Sequence, residues 1–147
     1  AAAGGDSHIK FFDMASGKML LAVKAHAFYV SNILFSPSEQ LLISSSSENN
    51  VKGWHISFTE DEENGATTFV NCVEKFCVTS PFASACAKLV FLDGPSQVDE
   101  IHGMDYSGSI VLVGGEKNMF IVDVKQGKSI FDLKNAHTSN IWNFGLP

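Results

Sequence analysis

The sequence predicts an all-β chain built from a recurring unit of short antiparallel strands. Two observations predict it: a self-similar segment that returns along the chain, and β-prone runs closed by turn residues, with no helical periodicity of any length. Gly4-Gly5-Asp6-Ser7-His8-Ile9-Lys10-Phe11-Phe12-Asp13 lies over Ser46-Ser47-Glu48-Asn49-Asn50-Val51-Lys52-Gly53-Trp54-His55 at an offset of 42 residues. Small pair, acid, polar pair, β-branched residue, Lys and aromatic coincide. The same segment lies over Gly114-Gly115-Glu116-Lys117-Asn118-Met119-Phe120-Ile121-Val122-Asp123 at an offset of 110. Downstream, Gly17-Lys18 meets Gly127-Lys128, and Ala25-His26 falls one residue out of step with Ala136-His137.

Each copy reads as strand, turn, strand, turn, strand. Leu41-Leu42-Ile43 and Ile110-Val111-Leu112-Val113 are short β-prone runs closed by small residues, and they read as inner strands. An acid with polar neighbours then turns the chain at Asp6-Ser7, Glu48-Asn49-Asn50 and Glu116-Lys117-Asn118, because such side chains bond their own backbone and tolerate left-handed conformations. A second strand follows. Ser16-Gly17-Lys18 and Gln126-Gly127-Lys128 then make hairpin turns, with Gly supplying positive φ. They lead into Met19-Leu20-Leu21-Ala22-Val23 and Ser129-Ile130-Phe131-Asp132-Leu133.

Ala25-His26, Val30-Ser31-Asn32-Ile33-Leu34-Phe35-Ser36-Pro37, Leu41-Leu42-Ile43-Ser44-Ser45-Ser46 and Val51-Lys52-Gly53-Trp54 together resemble one full WD40 repeat. The resemblance implies a partial β-propeller of four-stranded antiparallel blades. Three positions depart from the family pattern: Ala25 stands for Gly, Glu48 for the turn Asp, and His55 for the Asp after Trp54. The flanking copies, ending in Phe12-Asp13 and Val122-Asp123, keep the Asp but not the Trp.

On these registers, residues 1–24 are the second half of a blade and 25–78 a blade with an acidic loop at 59–65. Residues 79–99 are either an insertion or a degenerate blade segment, 100–134 a further blade, and 135–147 the start of the next at Ile141-Trp142-Asn143-Phe144. His55 to Asp123 spans 68 residues, 26 more than the offset of 42, so the middle must hold extra chain. Blades number roughly 40–45 residues each, so only a few fit into 147. The sequence is therefore expected to be a piece of a longer chain. Its remaining blades, or other copies, would be needed to close the ring and cover open strand edges.

Composition excludes several classes. With 45% hydrophobic and 18% charged residues the chain is globular rather than disordered. A formal net charge of −6 argues against direct nucleic-acid binding, which needs clustered Lys and Arg. Apolar runs such as Met19 to Val23 are far shorter than a membrane span of about 20 residues. Cys72, Cys77 and Cys86 lack C-x-x-C spacing and read as apolar, buried thiols of a reducing compartment. An intracellular protein, cytoplasmic or nuclear, is expected.

His26, Ser44, Ser46, Glu48 and Trp54 could be misread as a catalytic cluster. The resemblance implies a structural hydrogen-bond network instead, with the His between the turn acid and a strand-two hydroxyl and the Trp donating from the next strand. No G-x-S-x-G elbow accompanies them. Gly127-Lys128-Ser129 lacks the earlier Gly of a phosphate loop, since position 122 is Val, and a strand follows rather than a helix. Asp99, Glu100, His102 and Asp105 alternate in facing along a strand and cannot converge on a metal. No cofactor and no metal are expected.

The resemblance places partner binding on loops that lead into the innermost strands. Phe28 and Tyr29 sit in one such loop, either as a hot spot or as filling for the seam between blades. Thr138, Ser139 and Asn140 occupy the same place in the final blade. The expected function is a non-catalytic scaffold for proteins or peptides in an intracellular complex. Ubiquitin-ligase receptors of this family often carry Trp-Asp-x-Arg, and no copy here ends in Arg. The competing class is an enzymatic propeller, a hydrolase or quinone-dependent oxidoreductase whose catalytic residues lie elsewhere in the parent chain.

Overall fold

The computed structural model describes residues 1–36, 40–60, 63, 67–80, 88–92 and 110–138. Among them are eleven strands and no helix. β1 (Ala2–Ala3), β2 (His8–Phe12) and β3 (Met19–Lys24) form a first antiparallel sheet in the order β1-β2-β3. β4 (Val30–Phe35), β5 (Leu41–Ser46), β6 (Asn50–Glu60) and β7 (Thr67–Thr79) form a second, ordered as in the sequence. β8 (Lys88–Leu92), β9 (Ile110–Gly115), β10 (Asn118–Asp123) and β11 (Lys128–Leu133) form the third, again sequential.

The repeated segments take equivalent places. Offsets of 42 and 110 carry β2 onto β6 and β10, and each of the three ladders to the next strand slips at the same step. The bulges fall between Phe11 and Phe12, between Gly53 and Trp54, and between Ile121 and Val122. A bulge bends its strand and sharpens the twist, so a bulge kept in register gives each sheet a similar local bend.

The hairpin turn after this strand depends on the residue that ends it. Asp123 accepts the amides of Lys125 and Gln126 at 2.9 Å each, and Asp13 accepts those of Ala15 and Ser16 at 3.4 and 2.9 Å. These carboxylates stop the strand by satisfying the amides of the turn. Gly17 and Gly127 complete the two turns at φ of 69° and 64°, a region that a Cβ disfavours. His55 occupies the same position in the second sheet. An imidazole has at most one acceptor nitrogen, and there the ladder runs on through Ile56↔Cys72, Phe58↔Val70 and Glu60↔Thr67. β6 and β7 consequently reach 11 and 13 residues.

That extension supplies part of the extra chain between the second and third copies, and it moves two boundaries. Thr59 and Glu60, expected in the acidic loop at 59–65, are the last residues of β6. Lys88–Leu92, in the segment expected as an insertion or degenerate blade, pairs with β9 as the fourth strand of the third sheet. That sheet thus starts before residue 100, because the β-prone run Leu89-Val90-Phe91 finds an open edge on Ile110–Gly114. The unit expected at 135–147 lies largely outside the described residues.

The sheets stack face to face, and β5 serves both interfaces. All six of its residues are buried. Leu41 and Ile43 pack with Val51, Val111, Val113, Phe120 and Val122 against the third sheet. Leu42 packs with Ile9, Phe11, Trp54 and Ile56 against the first. Strand alternation sends neighbouring side chains to opposite faces, so a sandwiched strand must be apolar on both. Burying one such Leu contributes about 1.5–3 kcal/mol.

Candidate functional site

The loop between β3 and β4 carries the candidate site, and its backbone is fixed from several directions. Ser7, in the β1–β2 turn at φ of 67°, accepts the amides of Ala25 and His26 on its carbonyl at 2.9 and 3.4 Å. Val30 donates its amide to the Gly4 carbonyl at 3.2 Å. The β5–β6 turn reaches from the other side. Asn49 turns it at φ of 65°, and Glu48 in the middle of the turn accepts the Ala27 amide on Oε2 at 3.1 Å.

His26 is the anchor of this arrangement, 3% exposed. Its Nδ1 lies 2.7 Å from Glu48 Oε1, and its Nε2 lies 2.8 Å from Ser44 Oγ. Trp54 Nε1 donates to the same Ser44 oxygen at 2.8 Å. The directions follow from the inventory of donors. A carboxylate only accepts, so Nδ1 carries the proton, Nε2 accepts from the Ser44 hydroxyl, and Ser44 accepts from Trp54. Every donor in the run from Trp54 to Glu48 is used once, which a buried polar network requires. Burial pushes the His26 pKa below its ordinary value, with the Glu48 hydrogen bond opposing. Burial works against the Glu48 carboxylate too, but hydrogen bonds from His26 and the Ala27 amide outweigh it and lower its pKa.

Among the five residues expected in this network, the structure joins His26, Ser44, Glu48 and Trp54 by side-chain contacts and gives Ser46 another task. Ser46 Oγ donates to the Tyr29 carbonyl at 2.9 Å and accepts the Glu48 amide at 3.3 Å. It therefore ties the same loop to the same turn without touching the imidazole. Glu48, with one more methylene than Asp, spans both the imidazole and the Ala27 amide. Lys52 lies 5.5 Å over the Trp54 ring and pairs with Glu74 at 2.9 Å.

Phe28 and Tyr29 project from this fixed backbone, 61% and 50% exposed. Thr138 is exposed, and beside it His137 donates its amide to the Lys117 carbonyl at 3.2 Å, the counterpart two copies on of the His26 amide on Ser7. Ser139, Asn140, Asp99, Glu100, His102, Asp105 and Cys86 lie outside the described residues. Among the described residues no group of three His, Cys, Asp or Glu could hold a metal ion. Cys72 is half-buried, its thiol pushed up to about 11 by burial. Cys77 is exposed rather than buried, since β7 is the outermost strand of its sheet. No helix of the described residues is long and apolar enough to cross a membrane.

The spacing missed one cluster. Phe12, Phe35 and Phe58, exposed by 41%, 46% and 50%, border a groove between the first and second sheets. They come from three different strands, so no local sequence pattern joins them.

Stacked, twisted antiparallel sheets, each connected to the next by a loop from outer strand to inner strand, define part of a β-propeller. No protein-family model matches the chain, and no curated protein matches it. Among solved structures, it is similar to the β-propeller domain of Cps50 (Swd1) from Myceliophteria thermophila, with a TM-score of 0.62 at 8% identity. That match covers 89% of this chain and 36% of the other, so the chain spans about a third of its length. At this identity the likeness shows the fold alone.

Proposed function

We propose that the chain is part of a non-catalytic WD40-type propeller scaffold that binds other proteins or peptides within an intracellular multiprotein complex, through the face presented by Phe28 and Tyr29. One observation carries the reading: two exposed aromatic side chains stand on a loop whose backbone is held at His26, Ala27, Tyr29 and Val30. Aromatic anchors dominate interface energetics, and a loop already ordered loses little entropy on binding. The resemblance of residues 25–57 to a WD40 repeat and the propeller fold support the same assignment.

The enzymatic alternative meets a geometric objection. Glu48, His26 and Ser44 imitate a hydrolytic triad, but the Ser44 oxygen is 0% exposed and already accepts the Trp54 indole proton. A nucleophile must reach a substrate carbonyl, and this hydroxyl is closed off by the network that it joins.

The test compares partner capture by the wild-type protein and by Phe28→Ala/Tyr29→Ala, with melting temperatures matched. Loss of the same partners in the double variant is expected. Unchanged capture would move the site elsewhere, and Ser44-dependent turnover in a hydrolase screen would favour the enzyme.

A further inference from the structure

The β3–β4 loop is buried at both ends and exposed between them. Ala25 and Val30, 1% and 6% exposed, pack into the cluster that holds Ile9, Leu42 and Trp54. Ala27, Phe28 and Tyr29 are all exposed, so apolar burial does not hold them. Their ties are polar, and most converge on the β5–β6 turn. Glu48 takes the His26 Nδ1 proton on Oε1 and the Ala27 amide on Oε2, and Ser46 bonds both the Tyr29 carbonyl and the Glu48 amide. Losing those ties would free the aromatic pair while burial keeps the ends of the loop anchored. A local opening of this kind breaks a few hydrogen bonds and leaves the stacked sheets intact.

Two of these ties depend on protons. In the closed arrangement the imidazole gives its one proton to Glu48 and accepts the Ser44 hydroxyl at Nε2, 2.8 Å away. A second proton must enter at that Nε2. It removes the acceptor of the Ser44 hydroxyl and places a cation on a side chain that is 0% exposed. Water can solvate the imidazolium once the loop lifts, and a buried charge without such solvation is costly. The neighbouring charges do not reverse this balance. Glu48 favours the cation but burial outweighs it, while Lys52 on β6 opposes it and Glu74 on β7 favours it, and these two pair with each other. On the β1–β2 side, which meets the loop through the Ser7 carbonyl, Asp6 pairs with Lys10, and His8 stands opposite Lys24 of β3. We infer that the β3–β4 loop is a proton-operated latch: it closes on neutral His26 and ionised Glu48, and acid opens it, releasing Phe28 and Tyr29 from their fixed presentation while the sheets stay stacked. Only the consequence for partner binding rests on the Phe28–Tyr29 reading above.

Amide hydrogen exchange in the full chain, corrected for the intrinsic effect of pH, tests the latch without any partner, so the latch and the binding face fail separately. The closed loop holds the His26 pKa below 6.5, so protons favour the open form as pH falls past that value. Between pH 7.5 and 5.5, protection at the His26 and Ala27 amides is expected to drop about three- to tenfold, in step with protonation of the His26 ring followed by its nitrogen shifts. Amides of β5, in the interior of its sheet, should keep their protection. His26→Gln should abolish the pH dependence and His8→Gln should retain it, with melting temperatures checking that both fold. The coincidence of ring and amide profiles in the wild type decides without the variants. Protection at Ala27 unchanged at pH 5.5, a loss shared equally by β5, or the same response in a folded His26→Gln overturns the latch.

Discussion

Phe76 lies across Gly53 so closely that a Cβ at position 53 would sit 2.2 Å from the ring. The same side chain approaches Gly127 in the β10–β11 turn, where an added Cβ would fall 2.7 Å from the Phe76 Cβ. One aromatic residue on an outer strand therefore touches both its own sheet and the turn of the next. Gly53→Ala is expected to destabilise by about 1–3 kcal/mol, the cost of overpacking. Introduced together with Phe76→Ala it should cost less than the sum of the two, because residues in contact couple. Additive losses in denaturant titrations would count against the contact.

Ser44 and Ser46 look alike in the sequence and differ in what their loss exposes. Ser44→Ala leaves the Trp54 Nε1 donor and the His26 Nε2 acceptor buried without their shared partner, an expected loss of about 2–3 kcal/mol. Ser46→Ala removes a hydrogen bond to a loop carbonyl, worth about 1 kcal/mol. Urea unfolding of the two variants checks the ranking, and equal losses would contradict it.

Acid should loosen the fold in two stages. The His26 pKa in the fold lies below its ordinary 6.5, so the unfolded chain takes up the proton first as pH falls. The stability held by neutral His26 is therefore complete above pH 6.5 and drains away below it. The Glu48 pKa is also lowered, from 4.5, and adds a loss of the same sign below that pH. Thermal midpoints should fall between about pH 7.5 and 5, more steeply in the wild type than in His26→Gln. A rise on acidification would refute the assignment of the imidazole proton.

Asp123→Ala should unravel the β10–β11 turn. Its carboxylate is 0% exposed and accepts two amides and the Gln126 Nε2, so a loss of about 1–3 kcal/mol is expected. Amide exchange should speed up at Lys125 and Gln126 first. Asp13→Ala, at the exposed copy of the turn, should have the smaller effect on overall stability.

The offset of 42 residues was legible because the acid of the turn and the coincidence of Ile9, Lys10 and Phe12 with Val51, Lys52 and Trp54 are side-chain signals. The bulges were not, since a bulge is a backbone event that leaves no residue signature at Phe12, Trp54 and Val122. The hydrogen-bonded His26 was visible through its resemblance, but the choice between Ser44 and Ser46 was not. The two are two residues apart on one strand and share a face, and only the height of the β3–β4 loop decides which meets the imidazole. A strand within Ala83 to Leu92 was legible as a possibility, and β8 lies there, but the breaker cluster Asp93-Gly94-Pro95-Ser96 reads as the end of an insertion and hid its pairing with β9. The extent of β6 was hidden by its acids, because Thr59 and Glu60 read as solvated loop until they are seen paired with Phe69 and Thr67.

The long β6–β7 hairpin separates two kinds of constraint along one pair of strands. As far as the Phe58↔Val70 pair, the hairpin answers to neighbours on the first sheet, with Trp54, Ile56 and Val70 buried in the shared cluster. Beyond that pair, no described residue of the hairpin joins a buried cluster, so residues can be added or deleted two at a time, one on each strand, while the stack keeps its spacing. Chains built on the same framework are free to diverge here, and a reporter grafted at this tip would leave the blades that carry it undisturbed.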